Sequence, residues 1–540
     1  MSRKSKPATA ADVHVQMPAG PQTYLLLREA HSPKLGPRSV GGILFQVLTD
    51  TERQALFLRI AGNEGGGYVY GPSEVRPWFD GDLSGAYLTG LAVFMTLDYE
   101  RVTWTKDVED FIGTVAGFAQ VRFRFPPGTL YPCLPVPLDT GLCFPLSGVS
   151  LCTAPEIELA LAMGATLEIV IGLVIPFKSR AQVFAESEPR LRRWKAAKAK
   201  RAAKRATPML QRAKLAVDGE PGDDDVLVPP AAMTFPPPDH GDRGYRPMES
   251  FAIFVRQLRL KFKRKSLPFE FAKLVGNGLY GKTGQGFKGK GAFGPKQMGT
   301  VVIGPSRVSE PAIAALVCGF VRATMGEVVW KLPPGAKVLS LTTDGALMSV
   351  PTNQLNLTGT ISRRYQALVD RVAPGTSMME AKHQVRQVFI PRTRGCFTIE
   401  RDGDHQAICA KAGHKVVIPD DASEAEQARL RTPEGESDWM IRLALSRAPG
   451  QKLPQESFFS LRDQLLNGWD LQKQTREVAV ALEFDLKRKP TNPRMVRMEP
   501  YDTEHLAFDT VPWDSVEDAM LAREVFSRWK REHNLKTMDD

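Results

Sequence analysis

Between Phe269 and Thr283 the chain reads FEFAKLVGNGLYGKT, and this stretch constrains the remainder more than any other. Phe269, Ala272, Val275 and Leu279 recur at helical spacing, which predicts an amphipathic helix. Lys273 and Asn277 lie four apart on one face, with Tyr280 one step further along. Gly278 and Gly281 are expected to let the helix end and to let another backbone or a nucleotide come close. A cation, a carboxamide and an aromatic ring on one face suit a triphosphate and a base. Spacing alone equally describes a basic amphipathic helix that stops at glycine, so the flanking chain has to decide.

The 540 residues leave room for several sub-domains and a sizeable core. A formal net charge of +11 points to an anionic partner, nucleic acid first. Six cysteines without Cys-x-x-Cys spacing read as reduced thiols of a cytoplasmic protein, and no zinc site is indicated. The basic N-terminus has no apolar core behind it, unlike a secretory signal. The longest apolar run, around residues 167–177, is too short to span a bilayer and carries Glu168, so no membrane partner is expected.

Two carboxylate stretches flank the helix. Upstream, WFDGDLSGAYL (residues 78–88) predicts a strand-end carboxylate, then a turn whose backbone amides can face phosphate oxygens. Downstream, residues 336–349 predict strand, sharp turn, strand around Thr342-Thr343-Asp344-Gly345, which taken alone is an ordinary hairpin turn. Farther on, Arg392-Thr393-Arg394-Gly395-Cys396-Phe397 follows an apolar strand at 385–390. Two arginines beside an aromatic suit a DNA-backbone contact, and equally a surface turn.

In this order the stretches resemble the motifs of family B DNA polymerases, near the protein-primed phage and plasmid branch. The resemblance covers roughly residues 60 to 400 and is weaker beyond. Lys273-x3-Asn277-Gly278-x-Tyr280-Gly281 is similar to the family's Lys-x3-Asn-Ser-x-Tyr-Gly, with Gly278 at the serine. Residues 82–88 resemble Asp-x-x-Ser-Leu-Tyr-Pro, with Asp82, Gly85 and Tyr87 in register and Leu88 at the proline. Only Asp82, not Asp80, keeps the tyrosine at that spacing. Residues 340–345 resemble Tyr-x-Asp-Thr-Asp-Ser: Asp344 is the second aspartate, Thr342 stands for the first and Gly345 for the serine. Glu64-Gly65-Gly66-Gly67 resembles a glycine loop that touches template, without its tyrosine.

The resemblance implies an α+β right-hand architecture: a palm of antiparallel sheet plus helices, two-helix fingers and a thumb. It implies a DNA-directed DNA polymerase that adds dNTPs to a primer 3′ end by a two-metal-ion mechanism. On that reading Asp82, the Leu83 carbonyl and Asp344 hold two Mg²⁺, with Mn²⁺ able to substitute. Lys273 and a cation of the first fingers helix (Arg259, Lys261 or Lys263) neutralise charge building on the pyrophosphate. Leu83, Ser84, Gly85, Ala86 and Tyr87 line the nucleotide site, where Tyr87 excludes a 2′-hydroxyl, while Asn277 and Tyr280 line the base-pair pocket. Gly66, Gly67, Gly281, Thr343, Arg392 and Arg394 touch DNA. The implied partners are primer–template DNA and dNTPs, with a terminal or priming protein or a separate exonuclease subunit as additions. A cytoplasmic protein of bacterial, phage or plasmid origin is implied. Only 81 residues precede Asp82, so no 3′–5′ exonuclease is expected within the chain. Two alternatives stand beside this reading: a primer-making or protein-priming nucleotidyltransferase, and a catalytically silent DNA-binding subunit. Thr342 and Gly278 favour the second, and the set Asp82, Tyr87, Lys273, Asn277, Tyr280 and Asp344 opposes it.

The expected organisation follows. Residues 1–81 form a tail and a β-rich segment leading into the palm. Residues 82–185 form its first part, with room for a terminal-protein-type insertion and a helix at 155–163. Residues 186–247 hold a basic helix (190–205) and an acidic, proline-rich connector. Residues 248–305 form the fingers, in which a helix at 249–265 pairs antiparallel with the Lys273 helix, followed by a mobile basic glycine-rich loop. Residues 306–400 complete the palm, with a buried helix at 312–330. Residues 401–540 form the thumb, with helices near 423–431, 438–446, 458–466 and 515–532 and an alternating strand at 478–489.

Overall fold

The computed structural model describes residues 73–186 and 246–532, apart from 93–94, 139–140, 180, 184, 265, 287–290, 307, 447–450, 483, 499–500 and 502. The expected tail and strands before residue 72, Gly66 and Gly67, the basic helix at 190–205 and the connector after it lie outside the described residues.

In chain order, β1 (Trp78–Leu83) leads through a turn into α1 (Ala86–Leu91), then β2 (Thr103–Thr105), β3 (Ala116–Arg124), β4 (Val136–Leu138), β5 (Gly141–Cys143) and β6 (Ser147–Thr153). Helix α2 (Ala154–Ala162) follows at once, then β7 (Thr166–Ile175). The helix pair α3 (Glu249–Leu260) and α4 (Leu267–Thr283) precedes a hairpin, β8 (Gly291–Gly294) and β9 (Gly299–Val302), and a long helix, α5 (Pro311–Trp330). Next come β10 (Val338–Thr342), β11 (Gly345–Met348), α6 (Thr360–Val372), β12 (Met379–Arg392), β13 (Gly395–Arg401) and β14 (Cys409–Lys411). The C-terminal part contains α7 (Glu424–Leu430), α8 (Pro433–Ser446), β15 (Lys452–Phe458), α9 (Leu461–Asn467), β16 (Lys473–Ala479), β17 (Lys489–Met498), β18 (Thr503–Val511) and α10 (Val516–Glu532). The fold is α+β, and its largest sheet has six antiparallel strands in the order β10-β11-β1-β12-β13-β14.

Helix α5 is the pillar of the core. It is the one helix among the described residues long and apolar enough to cross a membrane, yet 94% of its apolar window is buried inside the fold. Small residues bring its neighbours close: a Cβ on Gly319 would lie 1.9 Å from Thr153 Oγ1, and one on Gly90 of α1 would lie 2.7 Å from Val317. Arg322 of α5 reaches Glu156 of α2 at 2.6 Å, both fully interior. Glu156 also accepts from the Thr153 N–H and hydroxyl, which caps α2 and keeps the buried charge satisfied on several sides. Glu327 accepts from the Ser362 N–H and hydroxyl, both at 2.7 Å, fixing the start of α6 against α5. One continuous core therefore joins α5, α6, the six-stranded sheet and the separate β2-β7-β3-β6 sheet.

Five expectations change. Gly278 and Gly281 do not end the Lys273 helix: α4 runs through both to Thr283, and a Cβ at either would meet nothing within 4 Å. Of its apolar pattern Ala272 is buried and Phe269 and Leu279 are half-buried, but Val275 is exposed and Gly276 takes its place against the core. The reason is proximity, because a Cβ on Gly276 would already touch Val255 at 3.1 Å and Leu88 at 3.6 Å. The glycine-rich loop after α4 contains the β8–β9 hairpin. The strand expected at 478–489 is split: residues 480–488 link β16 to β17 and bury Val480, Leu482, Lys487 and Arg488. Phe458 closes β15, and the helix after it begins only at Leu461, capped by Ser460.

Candidate active site

Strand register brings the two expected aspartates together. Asp82 at the end of β1 stands opposite Gly345, and Gly345 stands opposite Thr342 across the β10–β11 hairpin. Asp344 occupies the hairpin tip, and its carbonyl accepts from the Leu83 N–H at 2.7 Å. The tip is strained, for Thr343 has φ 60°, a left-handed conformation that a β-branched residue adopts at a cost. Gly345 is required by the geometry: a Cβ there would sit 2.1 Å from Asp82 Oδ1.

Burial first, then the Asp82 charge, pushes the Asp344 carboxyl up to about 6. Asp80, on the same strand face as Asp82, is pushed up to about 7 by burial and then by Asp82. Burial raises Asp82 as well, against the opposing pull of Lys382, whose Nζ lies 3.6 Å from Asp82 Oδ2. The site thus concentrates negative charge that its own cation only partly offsets.

The turn after β1 is built around Ser84, 2% exposed, and Gly85, whose φ of 60° favours glycine. Leu83 and Ala86 are buried on either side. Tyr87 emerges from α1 and stacks on Tyr280 of α4, with ring centroids 4.4 Å apart and 22° between planes. The Tyr280 hydroxyl hydrogen-bonds with Cys318 Sγ of α5 at 2.7 Å. Burial pushes both tyrosine hydroxyls well above their ordinary range, so the pair stays neutral.

The expected cations occupy different settings. Lys273 is half exposed, with Glu270 at 3.7 Å, and Asn277 and Gly281 are exposed beside it. Arg259 lies over the Phe269 ring at 4.9 Å, while Lys261 and Lys263 are exposed in the α3–α4 connection. The α3 residue that reaches the Ser84 turn is Arg256, at 3.1 Å from Ser84 Oγ. Arg392 donates to the Ala481 carbonyl at 2.9 Å and is a strut, whereas Arg394 at the β12–β13 turn is exposed. Thr343 is half-buried at its hairpin tip.

Sequence reasoning missed Glu380 and Lys382 as well as Arg256. Glu380 stands opposite Asp82 on β12, so Thr342, Gly345, Asp82 and Glu380 form a row across four strands. A carboxylate absent at Thr342 has a counterpart on the other side of Asp82. No local signal marks it, although Glu380 and Lys382 alternate on a strand otherwise rich in apolar and polar residues.

Among the described residues no group of three or more His, Cys, Asp or Glu could hold a metal. The donor set is a pair of carboxylates, which fits Mg²⁺, an ion commonly held by one or two carboxylates plus substrate phosphates and water. The raised Asp344 carboxyl beside Asp82 supports that fit, since a divalent cation relieves their repulsion.

The resemblance read from the motifs is borne out by a curated relative, the primer-independent DNA polymerase PolB of Escherichia coli, 34% identical over 474 residues. The match covers 88% of this chain and 46% of that protein, so the chain spans about half the length of the relative. Solved structures of Phi29 DNA polymerase also align: a ternary complex with primer-template DNA and incoming nucleotide has a TM-score of 0.37 at 10% identity, covering 91% of this chain and 66% of that one. An orthorhombic crystal form has a TM-score of 0.38 at 10% identity, covering 81% and 64%. No family model matches the chain.

Proposed function

We propose that this chain is the polymerase part of a family B DNA-directed DNA polymerase of the protein-primed type, adding dNTPs to a primer 3′ end on a DNA template. The observation that carries the reading is the register that sets Asp82 against Gly345 and hence beside Asp344, within reach of the stacked Tyr87–Tyr280 pair. On this reading the six-stranded sheet, including β14, with α5 and α6 is the palm, α3 and α4 are the fingers, and the part after β14 is the thumb.

Asp82, Asp344 and the Leu83 carbonyl would hold two Mg²⁺, or Mn²⁺ in their place. When bound, such ions would make a hydroxyl more acidic and neutralise phosphate charge. The chain's own groups do the rest. Lys273, with Arg259, Lys261 or Lys263 nearby, meets the charge of the departing diphosphate. The amides of Gly85 and Ala86 face the triphosphate, while the Ser84 N–H is held by the Met378 carbonyl. The Tyr87 ring, backed by Tyr280, fills the space where a 2′-hydroxyl would lie. Asn277 and Tyr280 flank the base pair, and Gly281, Thr343 and Arg394 follow the DNA backbone. The partners are primer–template DNA and dNTPs, with a priming protein or a separate exonuclease subunit as further ones, and the setting is a bacterial cytoplasm.

A second reading, synthesis without a primer, has its own support in the relative's printed name, primer-independent DNA polymerase. Both are tested by incubating the protein with dNTPs, Mg²⁺ and either a labelled primer–template or an unprimed template, beside Asp344→Ala. Extension of the primer by wild type alone is expected. Product on the unprimed template selects the second reading. DNA binding without product on either template would overturn both and leave a silent DNA-binding subunit.

A further inference from the structure

Three segments far apart in sequence meet at one buried hydroxyl. Ser84 Oγ donates to Glu380 Oε1 at 2.8 Å and accepts from Arg256 Nη2 at 3.1 Å, and Arg256 Nη2 lies 3.5 Å from Glu380 Oε1. The Ser84 backbone is pinned too. Its N–H donates to the Met378 carbonyl at 2.8 Å, and its own carbonyl accepts from Thr89 Oγ1 at 3.0 Å and Tyr365 Oη at 3.3 Å. Glu380 faces Asp82 across the β1–β12 pairing, and Lys382 Nζ lies 3.5 Å from Glu380 Oε2. Arg256 belongs to α3, against which α4 packs through Gly276 and Val255. One charge-assisted relay therefore runs from the strand that carries Asp82 to the helix pair that carries Lys273.

We propose that Arg256, Ser84 and Glu380 form a latch that holds the α3–α4 helix pair over the Asp82 end of the sheet, making Arg256 and Glu380 positioning residues for nucleotide binding. The inference rests on the polymerase reading. Hydrogen bonds between charged groups and a fixed hydroxyl are directional, so the latch sets an orientation as well as a contact. Without the Glu380 charge, Arg256 has no counter-ion at the turn, and α3 with α4 loses its fixed height above Asp82. The groups that bind the triphosphate then meet it in the wrong place, while the aspartates stay where the sheet holds them. The expected signature is weaker nucleotide binding with little change in the chemical step.

The test is dNTP-dependent extension of a primer–template by wild type, Glu380→Gln, Arg256→Lys and the double variant. A fluorescent dNTP is also titrated onto each protein with a chain-terminated primer that permits no chemistry. The latch predicts that each single variant raises KM, and the fluorescent Kd, about tenfold with kcat within about twofold, and that the double variant is no worse than either single one. A raised Mg²⁺ requirement with unchanged dNTP KM would assign Glu380 to the metal side and overturn the latch. So would additive effects in the double variant, or a fall in kcat that tracks a lower thermal midpoint. A wild type that extends normally with unaffected variants sinks the latch alone; a wild type that extends nothing sinks the polymerase reading.

Discussion

The aspartate pair and the Lys273 helix belong to one candidate site but are held in opposite ways. Asp82 lies on β1 and Asp344 at the tip of the neighbouring β10–β11 hairpin, held so close by the strand pairing that Gly345 cannot carry a Cβ. On α4 the buried stripe is Ala272 and Gly276, and the expected functional side chains, Lys273 and Asn277, project outward. The sheet keeps like charges close at a cost that only a cation relieves. The helix keeps a cation and a carboxamide unengaged by the core, ready for something outside it. A site of this kind is rigid where charge must be concentrated and open where a charged ligand must enter.

If the contrast is right, the largest effects belong to the sheet. Asp82→Ala or Asp344→Ala should lower single-turnover primer extension by about 10³-fold or more with an unchanged or raised thermal midpoint, since each removes half of a repelling pair. Gly345→Ala should come next. Its new methyl displaces the Asp82 carboxylate, and extension should fall about 10–100-fold while far-UV circular dichroism stays that of wild type. Lys273→Ala should raise KM for dNTPs about tenfold and leave thermal stability unchanged, because an exposed pair such as Lys273–Glu270 contributes a few tenths of a kcal/mol at most. A large stability loss in that variant would break the contrast.

The smallest effect separates two aspartates on one strand. Asp80 has its carboxyl at about 7 in the fold against an ordinary 3.8, so between those values the native state binds the extra proton. Stability contributed there is present at low pH and is lost as pH rises toward 7. Asp80→Asn should therefore stabilise the protein by about 1–2 kcal/mol at pH 8 and much less at pH 4, read from urea melts at both. Asp344 follows the same sign with its carboxyl near 6. Extension should accordingly decline as pH falls through about 6, and more Mg²⁺ should move that decline to lower pH.

Much of this site was legible in local sequence. The family resemblance marked Asp82 through the glycine and tyrosine in register after it, Asp344 through the hairpin motif, and Lys273, Asn277 and Tyr280 through the helix motif, where spacing alone left ordinary turns and a basic helix; the structure stacks Tyr280 on Tyr87. What escaped depends on pairing across distance. Glu380 reaches Ser84 over a separation of 296 residues, and nothing within its own strand reveals that β12 lies beside β1. Arg256 was passed over for Arg259, Lys261 and Lys263 because helical spacing does not say which face meets a turn 172 residues upstream. The same blindness hid one exchange on α4, where close packing set Gly276 rather than Val275 against Val255 and Leu88. The strand expected at 478–489 failed for a related reason. Asp485 and Lys487 are paired at 2.9 Å and engage Thr393, so tertiary contacts took a segment whose alternation suggested a sheet.

If Asp82 and Asp344 act as one metal centre, Mn²⁺ binding followed by electron paramagnetic resonance in wild type, Asp82→Asn and Asp344→Asn, with a non-hydrolysable nucleotide present, reads it most directly. A shared centre binds Mn²⁺ in wild type and loses about tenfold or more in affinity in either variant. Equal Mn²⁺ binding in wild type and Asp344→Asn would contradict it.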